Sequence, residues 1–153
     1  MTEDPQFKKV LQGFELRCAR QEMCSADVRR KALRTFEGDA DRADALVRSL
    51  VENGYVDDAR YAAAFAREKS RLTGWGPVKI TFQLRGKGLS EEAIRQALQE
   101  VDAGEASGKL HNLLAAKYKS VQGEPDARLR LIRFALGRGY EWAAVSEALK
   151  GIL

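Results

Sequence analysis

The sequence has 153 residues, of which 44% are hydrophobic, 31% charged and 8% aromatic. This hydrophobic fraction excludes an intrinsically disordered chain, and no apolar run approaches the roughly 20 residues that a transmembrane helix needs. Lys and Arg number 26 against 22 Asp and Glu, so the net charge of +4 is too small to indicate a nucleic-acid partner by itself. Since the N-terminal residues lack the apolar stretch of a signal peptide, we expect a cytoplasmic protein.

Residue types that carry catalysis or bind metals are scarce. Cys18 and Cys24 are too few for a disulfide framework, and His111 is the only histidine. Residues 104–109 and 86–88 combine glycine with lysine, but neither segment has the spacing of a phosphate-binding loop. We therefore expect no enzymatic activity, no metal and no cofactor.

The chain carries an internal repeat of 51 residues. One apolar helix face, with the spacing i, i+3, i+4 and i+7, occurs in three copies. The copies are Ala43, Leu46, Val47, Leu50; Ile94, Ala97, Leu98, Val101; and Val145, Ala148, Leu149, Ile152. In the same register Leu33 aligns with Leu84. We predict an all-α fold of three tandem three-helix repeats, at residues 1–54, 55–103 and 104–153, that form an elongated, curved solenoid.

Local signals indicate where the helices of these repeats begin. In the middle copy, Asp57 or Asp58 is positioned to cap the first helix. Pro77 suits the first turn of the second helix, and Ser90 is positioned to cap the third. In the first copy, we predict that Ser25 caps the second helix. Each repeat is therefore expected to contain three short helices.

The second helix of every copy is basic. These helices, which we place at residues 25–36, 76–88 and 126–139, contain eleven Lys or Arg and two Asp. The third helices instead contain ten acidic and four basic residues. If the repeats stack in register, the second helices form a basic stripe along one side of the molecule. Such a stripe suits a polyanion or an acidic protein surface.

Two motifs in the middle copy resemble the central signature of the RecX family of bacterial regulatory proteins. The first is GYVDDARYA at residues 54–62, and the second is GPVKI at residues 76–80 followed by LRGKGL at residues 84–89. Their order and spacing match the family over about residues 47–101. The resemblance implies a regulator of the RecA recombinase that lies in the helical groove of the RecA filament on single-stranded DNA. It also implies inhibition of filament extension, ATP hydrolysis and strand exchange.

The basic stripe and the signature together supply the candidate partner-binding residues. This set consists of Arg60, Arg67, Lys79, Arg85, Lys87, Arg95, Arg29, Arg30, Arg34, Arg130 and Arg133. The acidic pair Asp57 and Asp58 matches the family signature, and helix capping and partner contact are the two alternatives for it. We expect a monomer whose partner is the RecA filament, with single- or double-stranded DNA as a further candidate partner and no membrane contact.

Two other functions fit part of the pattern. A short basic helix after a turn also suits a helix-turn-helix module, which predicts salt-sensitive binding to duplex DNA without a protein partner. A helical scaffold for some other protein would respond little to nucleic acid. The modest net charge and the acidic third helices favour the RecA regulator over the DNA-binding module.

Overall fold

The structure is a computed structural model that describes residues 4–101 and 103–153. Within these residues the chain forms nine α-helices and no β-strand. The helices are α1 (Pro5–Arg20), α2 (Ser25–Thr35), α3 (Ala40–Glu52), α4 (Asp58–Leu72), α5 (Pro77–Gly86), α6 (Glu91–Gln99), α7 (Ala103–Val121), α8 (Ala127–Gly137) and α9 (Trp142–Lys150). The predicted all-α class and three-by-three order of helices are confirmed.

Three hydrophobic cores follow the helix triplets, which we call repeat 1 (α1–α3), repeat 2 (α4–α6) and repeat 3 (α7–α9). Two buried residues pack across the first boundary, because Cys24 belongs to the core of repeat 2 and Val56 to the core of repeat 1. Repeats 1 and 2 therefore interlock. The exact limits at residues 54 and 103 stay a prediction.

Helix starts follow the expected capping chemistry with one exception. Asp57 caps α4 by accepting a hydrogen bond from the Arg60 N–H (3.1 Å), and Ser90 caps α6 by accepting one from the Ala93 N–H (3.1 Å). Ser25 is not a cap, contrary to the prediction, because it is already the first residue of α2. Its hydroxyl bonds to a distant carboxylate instead, as described below.

The backbone keeps the predicted 51-residue period where the second helices end. Helices α2 and α5 end at Thr35 and Gly86, and each is followed by four residues before the next helix. The predicted alignment of Leu33 with Leu84 agrees with these helix ends. Burial differs by one position, because Ala32 of α2 is fully buried and Leu33 only partly.

The surface area of the chain indicates an extended arrangement of the repeats. The accessible surface is 9324 Å² for a mass of 17.0 kDa, whereas a compact protein of that mass has about 7,700 Å². A larger surface is expected when each repeat contacts mainly its neighbours, and it agrees with the predicted elongated form. Among the described helices, none is both long enough and apolar enough to cross a bilayer.

Candidate interaction surface and repeat junctions

The second helices of the three repeats meet end to end. The residues that directly follow α8 contact the first turn of α5, where the Val78 N–H donates to the Gly139 carbonyl oxygen (2.9 Å). The last turn of α5 approaches the first turn of α2, where Lys87 Nζ lies 2.8 Å from Asp27 Oδ2. In both places the carboxyl end of one helix faces the amino end of the next, so their helix dipoles attract.

Backbone atoms form most of the junction between repeats 2 and 3. The Gly76 N–H donates to the Arg138 carbonyl oxygen (2.8 Å), next to the bond made by Val78. The Tyr140 hydroxyl donates to the Gly74 carbonyl oxygen (3.0 Å) in a buried position. The Arg138 guanidinium likewise donates to a main-chain acceptor, the Thr73 carbonyl oxygen (3.0 Å). Because all of these bonds have main-chain acceptors, the junction depends on close approach of the two repeats.

Two glycines make this close approach possible. A Cβ atom at Gly76 would overlap the backbone of Gly139, and a Cβ atom at Gly139 would overlap Lys79. Gly139 also has a φ of 95°, which L-residues rarely adopt. The equivalent glycine at the junction between repeats 1 and 2 is Gly88, and a Cβ atom there would meet only the Cβ of Ala26 at an ordinary 3.7 Å.

Charged side chains form most of the junction between repeats 1 and 2. Asp58 accepts two hydrogen bonds from Ser25, one from its backbone N–H (2.8 Å) and one from its hydroxyl (2.6 Å). Arg60 Nε donates to Glu22 Oε2 (2.5 Å), and its terminal nitrogen donates to the Gly54 carbonyl oxygen (3.1 Å). The first motif of the sequence signature thus attaches repeat 2 to repeat 1.

Ion pairing at this junction shifts the pKa values of its members. Burial works to raise the pKa of Asp27, but the hydrogen bonds from Lys87 and Cys24 and the charges of Lys87 and Arg30 together outweigh it, so the pKa falls below the ordinary value. The hydrogen bond with Asp27 raises the pKa of Lys87. The hydrogen bond to Glu22 raises the pKa of Arg60. All of these groups are consequently charged near neutral pH.

Most of the predicted partner-binding cations have a carboxylate partner within the chain. The eight pairs are Arg60 with Glu22, Arg67 with Glu100, Arg85 with Glu91, Lys87 with Asp27, Arg95 with Glu92, Arg29 with Asp44, Arg30 with Asp27, and Arg130 with Asp126. Most of these cations still expose about half of their side chains, and Lys87 exposes 36%. They remain accessible, but an incoming partner has to compete with the local acid.

Three predicted cations have no carboxylate partner within the described part of the chain. Lys79 is half-buried, and its Nζ lies 4.6 Å from the centroid of the Trp75 ring, a cation–π distance. Arg34 on α2 and Arg133 on α8 are exposed and make no ion pair or side-chain hydrogen bond with any described residue. These two side chains are therefore the freest members of the predicted set.

The acidic pair of the signature has two structural tasks. Asp57 caps its own helix, whereas Asp58 binds Ser25 of the preceding repeat. Sequence reasoning did not identify Ser25, Glu22 or Asp27 as junction residues. Only Asp27 has a sequence feature that could have indicated such a role, because it is the one acidic residue of an otherwise basic helix.

A cavity of about 420 Å³ separates repeats 2 and 3 beside their backbone contact. Its wall is mostly apolar and includes Trp75, Ile80, Leu98, Leu110 and Tyr140. Among the described residues, no group of three or more His, Cys, Asp and Glu side chains is arranged to hold a metal ion.

Comparisons with known proteins agree with this architecture. The sequence model of a family described as RecX, second three-helix domain, matches residues 57–98. Regulatory protein RecX of Pseudomonas savastanoi pv. phaseolicola (strain 1448A / Race 6) is 34% identical over 136 residues, which cover 87% of this chain and 84% of that protein.

Two further relatives differ in length from this chain. Regulatory protein RecX of Escherichia coli O9:H4 (strain HS) is 35% identical over 101 residues, which cover 63% of this chain and 57% of that protein. The match thus spans little more than half of that relative. A crystal structure of regulatory protein RecX has a TM-score of 0.84 at 18% identity and covers 95% of this chain and 72% of that one. By fold and by sequence, the chain belongs to the RecX family of regulatory proteins.

Proposed function

We propose that this protein binds RecA filaments assembled on single-stranded DNA, along their helical groove, and lowers ATP hydrolysis, filament extension and strand exchange. The observation that carries the proposal is the row of second helices, which places cations of three repeats along one extended molecule. Membership of the RecX family supports RecA as the target. A row of repeats also suits a partner made of repeated subunits, because modest contacts add through effective concentration.

The internal ion pairs do not prevent this binding. An exposed pair such as Arg85 with Glu91, whose side chains are 59% and 70% exposed, contributes little to stability because water screens it. A polyanion or an acidic protein surface that offers several negative charges at once can replace such partners. Arg34 and Arg133 have no internal carboxylate partner that a binding partner would have to replace, so we expect them to contribute most to binding.

The test is ATP hydrolysis by RecA filaments preassembled on single-stranded DNA, with this protein added well below one copy per RecA. We expect the rate to fall at these ratios, because a protein in the groove acts on more than one subunit. A flat rate up to equimolar protein would contradict the proposal. Strong, salt-sensitive binding to bare duplex DNA in a parallel titration would instead favour the helix-turn-helix module.

Charge-reversal variants test which surface of the protein binds the RecA filament. Reversal of charge at Lys87 is unsuitable, because it would place a second acid against Asp27 and disturb the junction. We expect Arg34→Glu combined with Arg133→Glu to raise the half-inhibitory concentration about tenfold or more, which corresponds to about 1.4 kcal/mol.

The matched control is Arg48→Glu with Lys119→Glu. These two exposed residues lie on α3 and α7 and have no ion pair with any described residue. The control changes the net charge equally, and we expect it to inhibit like the unmodified protein. Equal loss in both variants would mean that total charge, not the second helices, determines binding.

A further inference from the structure

A polar cleft of about 410 Å³ lies at the junction of repeats 1 and 2. It is bordered by the last turn of α1, the face of α2 and parts of repeat 2. Four cations line it, namely Arg17, Arg20, Lys31 and Lys87, together with Tyr61 and the acidic residues Glu22 and Asp27. Its lining includes neither of the free cations Arg34 and Arg133 and shares no residue with the apolar cavity at the other junction.

The acidic residues of this cleft are already engaged by other cations. Glu22 is bound by Arg60, and Asp27 is bound by both Lys87 and Arg30. Both carboxylates of the cleft lining therefore already have cationic partners other than Arg17, Arg20 and Lys31.

Three side chains consequently carry uncompensated positive charge into one concave space. Arg20 and Lys31 have no ion pair or side-chain hydrogen bond with a described residue. The Arg17 guanidinium carbon lies 5.3 Å from the centroid of the Phe14 ring and has no carboxylate partner there either. Their mutual repulsion is partly offset because Arg17 and Arg20 occupy the last turn of α1, which carries the partial negative charge of a helix end. Lys31 lies within α2, away from any such end.

We propose that this cleft binds a phosphate group. Its volume suits a small ligand rather than a protein surface. A carboxylate offers two oxygens in one plane, which a single guanidinium satisfies, whereas phosphate oxygens accept hydrogen bonds from several directions. The cationic donors of this cleft come from both α1 and α2, and donors from several directions suit a phosphate better than a carboxylate.

Tyr61 adds a neutral donor beside the cations. Burial raises the pKa of its hydroxyl, so the group keeps its proton at physiological pH and can donate to an anion. Occupation of the cleft would also bring negative charge near Lys87, which ties repeat 2 to Asp27. A ligand in the cleft would thus contact residues of both repeats.

The phosphate can belong to a small phosphorylated compound or to the backbone of a nucleic acid. This proposal stands whether or not the protein regulates RecA. The test is a calorimetric titration of the full chain with two probes at constant ionic strength: inorganic pyrophosphate and a five-residue oligothymidylate. Binding of pyrophosphate supports a site for free phosphates, and binding of the oligonucleotide alone supports a site for phosphodiesters.

The decisive variant is Arg20→Gln with Lys31→Gln, and its matched control is Arg48→Gln with Lys119→Gln. We expect the cleft variant to lose at least about tenfold in affinity for the bound probe, while the control keeps it. A third variant, Arg20→Lys with Lys31→Arg, retains both charges and is expected to keep most of the affinity. The proposal is overturned if neither probe binds the unmodified protein, or if the cleft variant and the control lose affinity equally.

Discussion

The two repeat junctions satisfy equivalent helix-end donors by different means. An α-helix leaves its first backbone N–H groups without partners inside the helix. At the start of α2, the Ser25 N–H donates to the side chain of Asp58 from the next repeat. At the start of α5, Gly76 and Val78 donate to main-chain carbonyls of the next repeat. The first junction therefore depends on charged side chains, and the second on close backbone contact.

This difference shows that one three-helix architecture can combine a junction that responds to solution conditions with a junction that close backbone contact holds in place. An ion pair such as that of Lys87 with Asp27 responds to pH, to salt and to competing ions, and each of its side chains can be replaced singly. The backbone contact of Gly76 with repeat 3 tolerates no side chain at its centre. We therefore expect repeats 2 and 3 to move as one unit and the junction with repeat 1 to respond to solution conditions.

The largest effect is expected from Gly139→Ala. The substitution forces alanine into a φ of 95° and drives its Cβ into Lys79, so we expect the free energy of unfolding to fall by about 3 kcal/mol. Urea unfolding followed by circular dichroism measures the change.

Gly88→Ala is the control for that experiment. Gly88 has a similar φ of 79°, but a Cβ atom there meets Ala26 at an ordinary distance of 3.7 Å. We expect a loss of about 1 kcal/mol, which reflects backbone strain alone. Similar losses in both variants would show that the two junctions are equally close, and the comparison would fail.

A smaller effect is expected from Asp58→Ala at the side-chain junction. The variant removes both acceptors of Ser25 and leaves a partly buried N–H without a partner, so we expect a loss of about 2 kcal/mol. Ser25→Ala removes only the hydroxyl bond and is expected to lose about 1 kcal/mol. Urea midpoints of both variants and of the double variant give the coupling. Additive losses would contradict a direct interaction.

The smallest effect, and the one that depends on pH, is expected from Lys87→Met. The pair with Asp27 should contribute about 1 kcal/mol at neutral pH, because Lys87 is 36% exposed and partly screened by water. The folded pKa of Asp27 is lowered from 3.8, so its contribution is present above that pH and is lost as the pH falls through the folded value. The folded pKa of Lys87 is raised from 10.5, so its contribution is lost only as the pH rises beyond that value.

Urea midpoints of the unmodified protein and of Lys87→Met should therefore differ by a constant amount between about pH 5 and 10. The difference should shrink as the solution is acidified below about pH 4. Arg85→Met is the control, because its pair with Glu91 is fully solvated and should leave the midpoint unchanged. A difference for Lys87→Met that persists undiminished at pH 2 would show that packing of the lysine stem, not its charge, stabilises the junction.

Local chemistry made the helices predictable from the sequence. Asp57 and Ser90 cap helices because they hydrogen-bond three residues ahead, a range that spacing alone reveals. The apolar spacing of the third helices likewise identified their buried faces, since the periodicity of one helix determines which side is covered.

Contacts between repeats were not predictable in this way. The partners of Ser25, Arg60 and Lys87 lie 33, 38 and 60 residues away, and no local pattern connects them.

The backbone bonds between α8 and α5 give the molecule two built-in reporters of its own motion. The amide hydrogens of Gly76 and Val78 are held by carbonyl oxygens of another repeat. They can exchange with solvent deuterium only when the two repeats separate or the chain unfolds. The exchange protection at these two positions therefore measures the free energy of opening at this point, in the free protein and in any complex that it forms.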